Sequence, residues 1–115
     1  MANTFKVVTK ANVTSADVIY TVGSSTTTVV LGIMVGNTTT SQVTATLSLG
    51  SDTSNRAGAN NEANQTVELV TNAPIPAGGS LELLAGNKVV METTDTLSLT
   101  ASGSSDIALS IMEIT

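Results

Sequence analysis

Carboxylates, amines and hydroxyls are the groups in this chain that could do chemistry. Its 115 residues hold nine acidic side chains, four basic ones, 20 threonines and 13 serines, with no cysteine and no histidine. A hydroxyl nucleophile of the Ser-His-Asp type therefore lacks its base, and thiol catalysis lacks its sulfur. Glu92, Asp95 and Asp106 could supply a carboxylate pair for glycosidic acid–base work, but nothing in their spacing marks any two as neighbours. Asp52, Asn55, Asn60 and Glu62 place oxygen donors of the calcium type in one stretch. Their spacing matches no EF-hand, so a solvated polar loop is the simpler account. Gly78-Gly79 follows a proline turn and opens no helix, so it is not a phosphate-cradling loop. The expectation is a chain without catalysis, cofactor or metal.

Charge excludes further classes. The net charge is -5, no like-charged run exists, and Phe5 and Tyr20 are the only aromatics. A nucleic-acid partner needs a basic track with stacking rings, and this chain has neither. Sugar stacking would rest on Tyr20 alone, which reads more easily as core. Cysteine-free, the chain says nothing about its redox compartment.

The elements that must position these groups are strands. Val29-Val30-Leu31-Gly32-Ile33-Met34-Val35-Gly36 alternates apolar with apolar, so as a strand it has no polar face. It is too short for a membrane helix and rich in β-branched residues, which predicts a strand buried on both sides and no membrane partner. We expect Val29, Leu31 and Ile33 toward the core, with Val30 and Met34 under a second layer or a partner subunit. Around it fall Phe5 to Lys10, then Asp17 to Val22, with Val18, Tyr20 and Val22 on one side. Gln42 to Leu49 follows, with Val43, Ala45, Leu47 and Leu49 inward, and then Gln65 to Val70. Pro74 and Pro76 should end strand pairing, since neither donates to a ladder. Ser80 to Leu84 and Lys88 to Glu92 read as a hairpin; Thr96 to Ala101 and Ile107 to Ile114 complete the set. The phase break at Ile111-Met112 predicts a β-bulge or a segment apolar on both faces.

Eight or nine short strands, frequent turn signals and no helical periodicity predict an all-β, antiparallel β-sandwich, jelly-roll-like or immunoglobulin-like. Residues 1–10 form an N-terminal arm or first edge strand, and 11–115 a single domain large enough for one core. The start lacks the charged and apolar regions of a signal peptide. The triplets at Asn12, Asn37 and Asn64 match the glycosylation pattern by chance in a chain this rich in Asn and Thr.

Residues 51–63 hold no large apolar side chain, and loops of that length are usually functional or mobile. They contain Arg56, the sole guanidinium, beside Asn55, Asn60 and Asn61. These four, with Phe5 and Lys6 of the arm, are the candidate partner contacts. Few charges protect the strand edges, which together with the apolar central strand predicts self-association as a dimer or trimer.

A resemblance narrows this. Met1-Ala2-Asn3-Thr4-Phe5-Lys6, Ile19-Tyr20-Thr21-Val22, Val29-Val30-Leu31-Gly32-Ile33 and Asn37-Thr38-Thr39 occur in that order. Ala73-Pro74-Ile75-Pro76-Ala77-Gly78-Gly79, Lys88-Val89-Val90-Met91, Asp95-Thr96-Leu97 and Leu109-Ser110-Ile111-Met112-Glu113-Ile114 follow. The series resembles small virion structural proteins of tailed phages, particularly those of marine cyanobacteria. Members often carry proline after Tyr-Thr-Val, where this chain has Gly23. The resemblance implies a virion component, with capsid decoration the first placement and a tail, neck or fibre-attachment role the alternative. It implies contact with other copies and with a major capsid or tail protein. A host-surface or carbohydrate-binding module is the reading from a different class.

Overall fold

The computed structural model describes residues 2–51, 65–83 and 87–115. Among the described residues nine strands follow one another: β1 (Asn3–Val13), β2 (Ala16–Thr21), β3 (Thr27–Asn37), β4 (Val43–Gly50), β5 (Thr66–Ile75), β6 (Ser80–Leu83), β7 (Val89–Met91), β8 (Thr96–Ala101) and β9 (Ser105–Ile114). No helix occurs among the described residues. Sheet I has the order β1-β9-β3-β6, with β7 also on β3; sheet II has β2-β8-β4-β5. Every pairing is antiparallel. The first strand lies beside the ninth and the second beside the eighth, and most connections cross between the sheets. That is the jelly-roll order, which settles the choice that the strand count alone left open.

The core is what two alternating inner faces make when pressed together. Sheet II contributes Val43, Ala45, Leu47, Leu97 and Leu99, and sheet I contributes Val30, Ile33, Val35, Met91, Ile107, Leu109 and Ile111, all buried. The alternation read in Gln42 to Leu49 and Thr96 to Ala101 is the one observed. A strand with one hydroxyl face and one aliphatic face can sit only one way round.

Four expectations need correction. In β3 the buried aliphatics are Val30, Ile33 and Val35, while Val29 and Leu31 are half-buried. The cause is a bulge: Val30 pairs with Ile111 and Gly32 with Ser110, so Leu31 is an extra residue that flips the phase. The phase break at Ile111-Met112 takes the second of its two readings, a segment apolar on both faces. The bulge is in β3, while β9 keeps Ile107, Leu109, Ile111 and Glu113 on one face and Met112 and Ile114 on the other. Val18 and Tyr20 do not share a side either. Val18 pairs with Ser98 and Tyr20 with Leu97, a second bulge at Ile19, and Val18 is exposed.

Pro74 does not end pairing. It sits inside β5 opposite Thr44, because β5 is the edge of sheet II and needs no donor on its open side. Nor do β6 and β7 pair as a hairpin. Both lie antiparallel to β3, with Leu83 opposite Ile33 and Val89 opposite Val30, as one interrupted strand. The gap falls where β3 carries its bulge. The turn before β6 uses Gly78 at φ 71, where a side chain would be strained, and Gly79 N–H donates to the Pro76 carbonyl.

Asn37 shows why one glycosylation triplet is structural. The residue is 4% exposed. Its Nδ2 faces the carbonyls of Ser41, Ile75 and Pro76, and its Oδ1 accepts from the N–H and the hydroxyl of Thr39. The side chain ties the β3–β4 turn to the end of β5, leaving no free amide for a glycan.

Candidate functional site

Phe5 and Lys6 are neighbours on β1 and point to opposite sides of sheet I. Lys6 pairs with Ile111 and lies on the core side; Phe5 pairs with Met112 and lies outside. Lys6 Nζ is 2.8 Å from Glu113 Oε1. The other oxygen of Glu113 accepts from the Tyr20 hydroxyl at 2.6 Å, and that hydroxyl is 2.7 Å from Thr28 Oγ1. Tyr20 belongs to sheet II and the other three residues to sheet I, so the cluster clamps the two sheets together. The Lys6 ammonium and then the Tyr20 hydroxyl hold the Glu113 carboxyl below the usual carboxylate range. Burial first, then the Glu113 carboxylate, pushes the Tyr20 phenol up.

Every group in this cluster has a partner, and it presents neither a nucleophile nor a free base. Tyr20 is thus tied between the sheets rather than offering its hydroxyl to a sugar. No three acidic side chains gather in metal-binding geometry among the described residues. The three carboxylates considered for acid–base work do local jobs or stand apart. Asp95 accepts the Glu92 N–H and Asp106 accepts the Asn12 N–H. Asn55, Arg56, Asn60 and Asn61, with the oxygen-rich stretch from Asp52 to Glu62, lie outside the described residues.

The outer face of sheet I holds a pattern that no sequence motif marks. Across all four strand positions runs one directly paired row, Phe5–Met112–Val29–Val90. Phe5 is 71% exposed and Val90 59%, with Val29 and Met112 half-buried between them. One row along, Val7 is 67% exposed opposite Ser110, which pairs with Gly32. Next come Thr9, Ala108, Met34 and Glu82, again directly paired. Scattered single apolar residues on a surface are ordinary, but a contiguous row across a sheet marks a contact surface.

Beyond that row the face sinks. Thr9, Ala11, Ala108, Met34, Gly36 and Ser80 line a groove of about 380 Å³. A Cβ built on Gly32 or Gly36 would meet nothing within 4 Å, so the glycines leave open space on this face. The signal for the row was present in the sequence, as Phe5 and the doubly apolar β3. The cross-strand pairing that aligns residues 5, 112, 29 and 90 was not.

No family model and no curated protein matches the chain. Among solved structures it is similar to a chain of the Bacillus endospore appendages, which are disulfide-linked pili. That likeness has 14% identity and a TM-score of 0.47 over 99% of this chain and 87% of that one. A chain in the structure of infectious bursal disease virus, Gx strain, is similar at 13% identity and a TM-score of 0.49. It covers 96% of this chain and 31% of the viral one.

Proposed function

We propose that the chain is a non-catalytic structural protein of a phage particle, acting through protein–protein contacts as a capsid decoration (cement) protein. The observation that carries the contact role is the uncovered row Phe5–Met112–Val29–Val90 on the outer face of sheet I. A soluble domain with so few charges has no reason to align its exposed apolar side chains unless something covers them. The placement in a phage rests on the order of motifs in the sequence. A tail, neck or fibre-attachment position uses the same chemistry and is the alternative placement.

Cryo-electron microscopy of purified particles, with copy number from quantitative mass spectrometry, tests this. A decoration protein appears as repeated density on the capsid exterior, in a copy number set by the capsid lattice. Density confined to the tail or neck moves the protein to the alternative. Particles that contain none of the chain overturn the reading.

A further inference from the structure

We propose that the outer face of sheet I is a self-association surface, on which two copies pack face to face about a two-fold axis. The ridge of each copy then fills the groove of the other. The inference goes beyond the virion reading, because it concerns the isolated protein and holds wherever that protein resides.

The face carries both halves of a complementary pair. The ridge is the row of Phe5, Met112, Val29 and Val90; the groove lies around Thr9, Ala108 and Gly36, further along the same strands. Between them, at mid-height, lies the row of Val7, Ser110 and Gly32. A two-fold axis between the faces, running across the strands at the level of Val7, exchanges the two ends. It sets Phe5 of one copy over Thr9 of the other and Met112 over Ala108. A two-fold contact must be self-complementary in this way, with each patch meeting its counterpart twice.

Charge and area agree with a second copy as the occupant. Lys10 and Asp106 also border the groove, yet Lys10 is 3.0 Å from Asp17 and Asp106 accepts the Asn12 N–H. Both of these charges are engaged within the chain. Glu82 of the Met34 row stands exposed on β6 at the sheet's edge, where its carboxylate keeps its water. The groove therefore calls for an apolar side chain rather than an ionic ligand. Sheet I is four strand positions wide, three of them filled by strands of ten or eleven residues and the fourth by the shorter β6 and β7. At about 4.8 Å between strands and about 3.3 Å per residue, this gives roughly 600 Å² per face. Two such faces bury on the order of 1,200 Å², the lower bound of a standard stable interface.

Analytical ultracentrifugation of the full chain, from low micromolar to several hundred micromolar, reads the association. The wild type should reach a dimer mass. Phe5→Asp removes the ridge and Gly36→Leu fills the groove without touching the fold, since Phe5 is exposed and a Cβ at Gly36 has open space. Each should raise the dimer dissociation constant by about ten-fold or more. Val67→Asp, at an exposed site on sheet II, should leave it unchanged.

Single cysteines in this cysteine-free chain then fix the geometry. Val7→Cys lies at the axis and should give a covalent dimer on oxidation. Phe5→Cys alone should not, because its counterpart lies about 13 Å away along the strand, beyond disulfide reach. A wild type that stays monomeric throughout overturns the proposal, as does a dimer indifferent to both face variants. Cross-linking through Phe5→Cys in preference to Val7→Cys overturns the two-fold arrangement. None of these results bears on whether particles contain the protein, which the particle experiment reads separately.

Discussion

The two sheets are alike inside and unlike outside. Sheet II turns out Thr44, Ser48, Thr96, Ser98 and Thr100, a surface mainly of hydroxyls in which Val18, opposite Ser98, is an isolated exposed aliphatic. Sheet I turns out Phe5, Val7, Val29, Met34 and Val90 from strands that are antiparallel in the same way. Threonine and valine are both β-branched and suit the pleat equally well. Folding therefore does not require the difference. What it changes is which side of the sandwich other molecules can hold.

The largest effects should show the inner symmetry. Leu99 of sheet II and Leu109 of sheet I are both fully buried. Leu99→Ala and Leu109→Ala should each cost about 2–5 kcal/mol in chemical denaturation, the range for a leucine removed from a packed core. A loss below about half a kilocalorie at either site would break the comparison, since one sheet would then not be part of the shared core.

How much of this was legible follows the same division. β4 and β8 were readable because a hydroxyl face opposite an aliphatic face fixes the phase, as with Leu47 against Thr46 and Ser48. β3 was recognisable as central but not orientable, because Val29-Val30-Leu31 has no polar partner to mark the outside. The bulge at Leu31 then decided the phase through pairing with Ser110 and Ile111, about 80 residues away in sequence. The proline rule failed at Pro74 because edge strands tolerate a missing donor. Phe5 was singled out as a contact, but the row it belongs to needs three other strands. Lys6 read as a contact too, and its alignment with Glu113 and Tyr20 is a tertiary fact.

A smaller effect tests the clamp that joins the sheets. Tyr20→Phe keeps the ring and removes the hydroxyl that meets Glu113 and Thr28. The expected cost is about 1–2 kcal/mol, a charge-assisted bond discounted for the partial exposure of Glu113. The pH dependence has a definite sign. Glu113 has a folded pKa below its ordinary value, first through Lys6 and then Tyr20, so its contribution is present above the unfolded pKa. That contribution is lost as pH falls through the folded value, below about pH 4.3. Tyr20 is raised, so its share is present below the unfolded value near 10 and lost at higher pH. Lys6→Met should flatten the acid limb; a wild-type acid limb retained in that variant would remove Glu113 as its source.

Within sheet II the comparison sharpens to a single pair. Thr46 and Thr100 face each other across β4 and β8. The Thr46 hydroxyl accepts the Asn72 N–H at 2.8 Å, at a bulge where Asn72 has φ 49, whereas Thr100 is exposed. Thr46→Val should cost about 1 kcal/mol, because it strips a part-buried N–H of its acceptor. Thr100→Val should stay within about 0.5 kcal/mol. Equal losses in thermal denaturation would mean that the Asn72 contact contributes nothing.

The smallest folding effect belongs to the face that should matter most for assembly. Phe5→Thr and Val90→Thr give sheet I the surface of sheet II at two exposed positions. Each leaves a β-branched side chain in a strand, and each removes apolar area that the isolated fold leaves in water. In dilute solution, where only monomer is present, each should shift unfolding by no more than about 0.5 kcal/mol. At high concentration the pair should still lower the mass seen by light scattering. These results separate what a side chain does for its own chain from what it does for another. A loss above about 1 kcal/mol in the dilute monomer would make the row part of the fold, and the two outer faces would then differ for reasons internal to the sandwich.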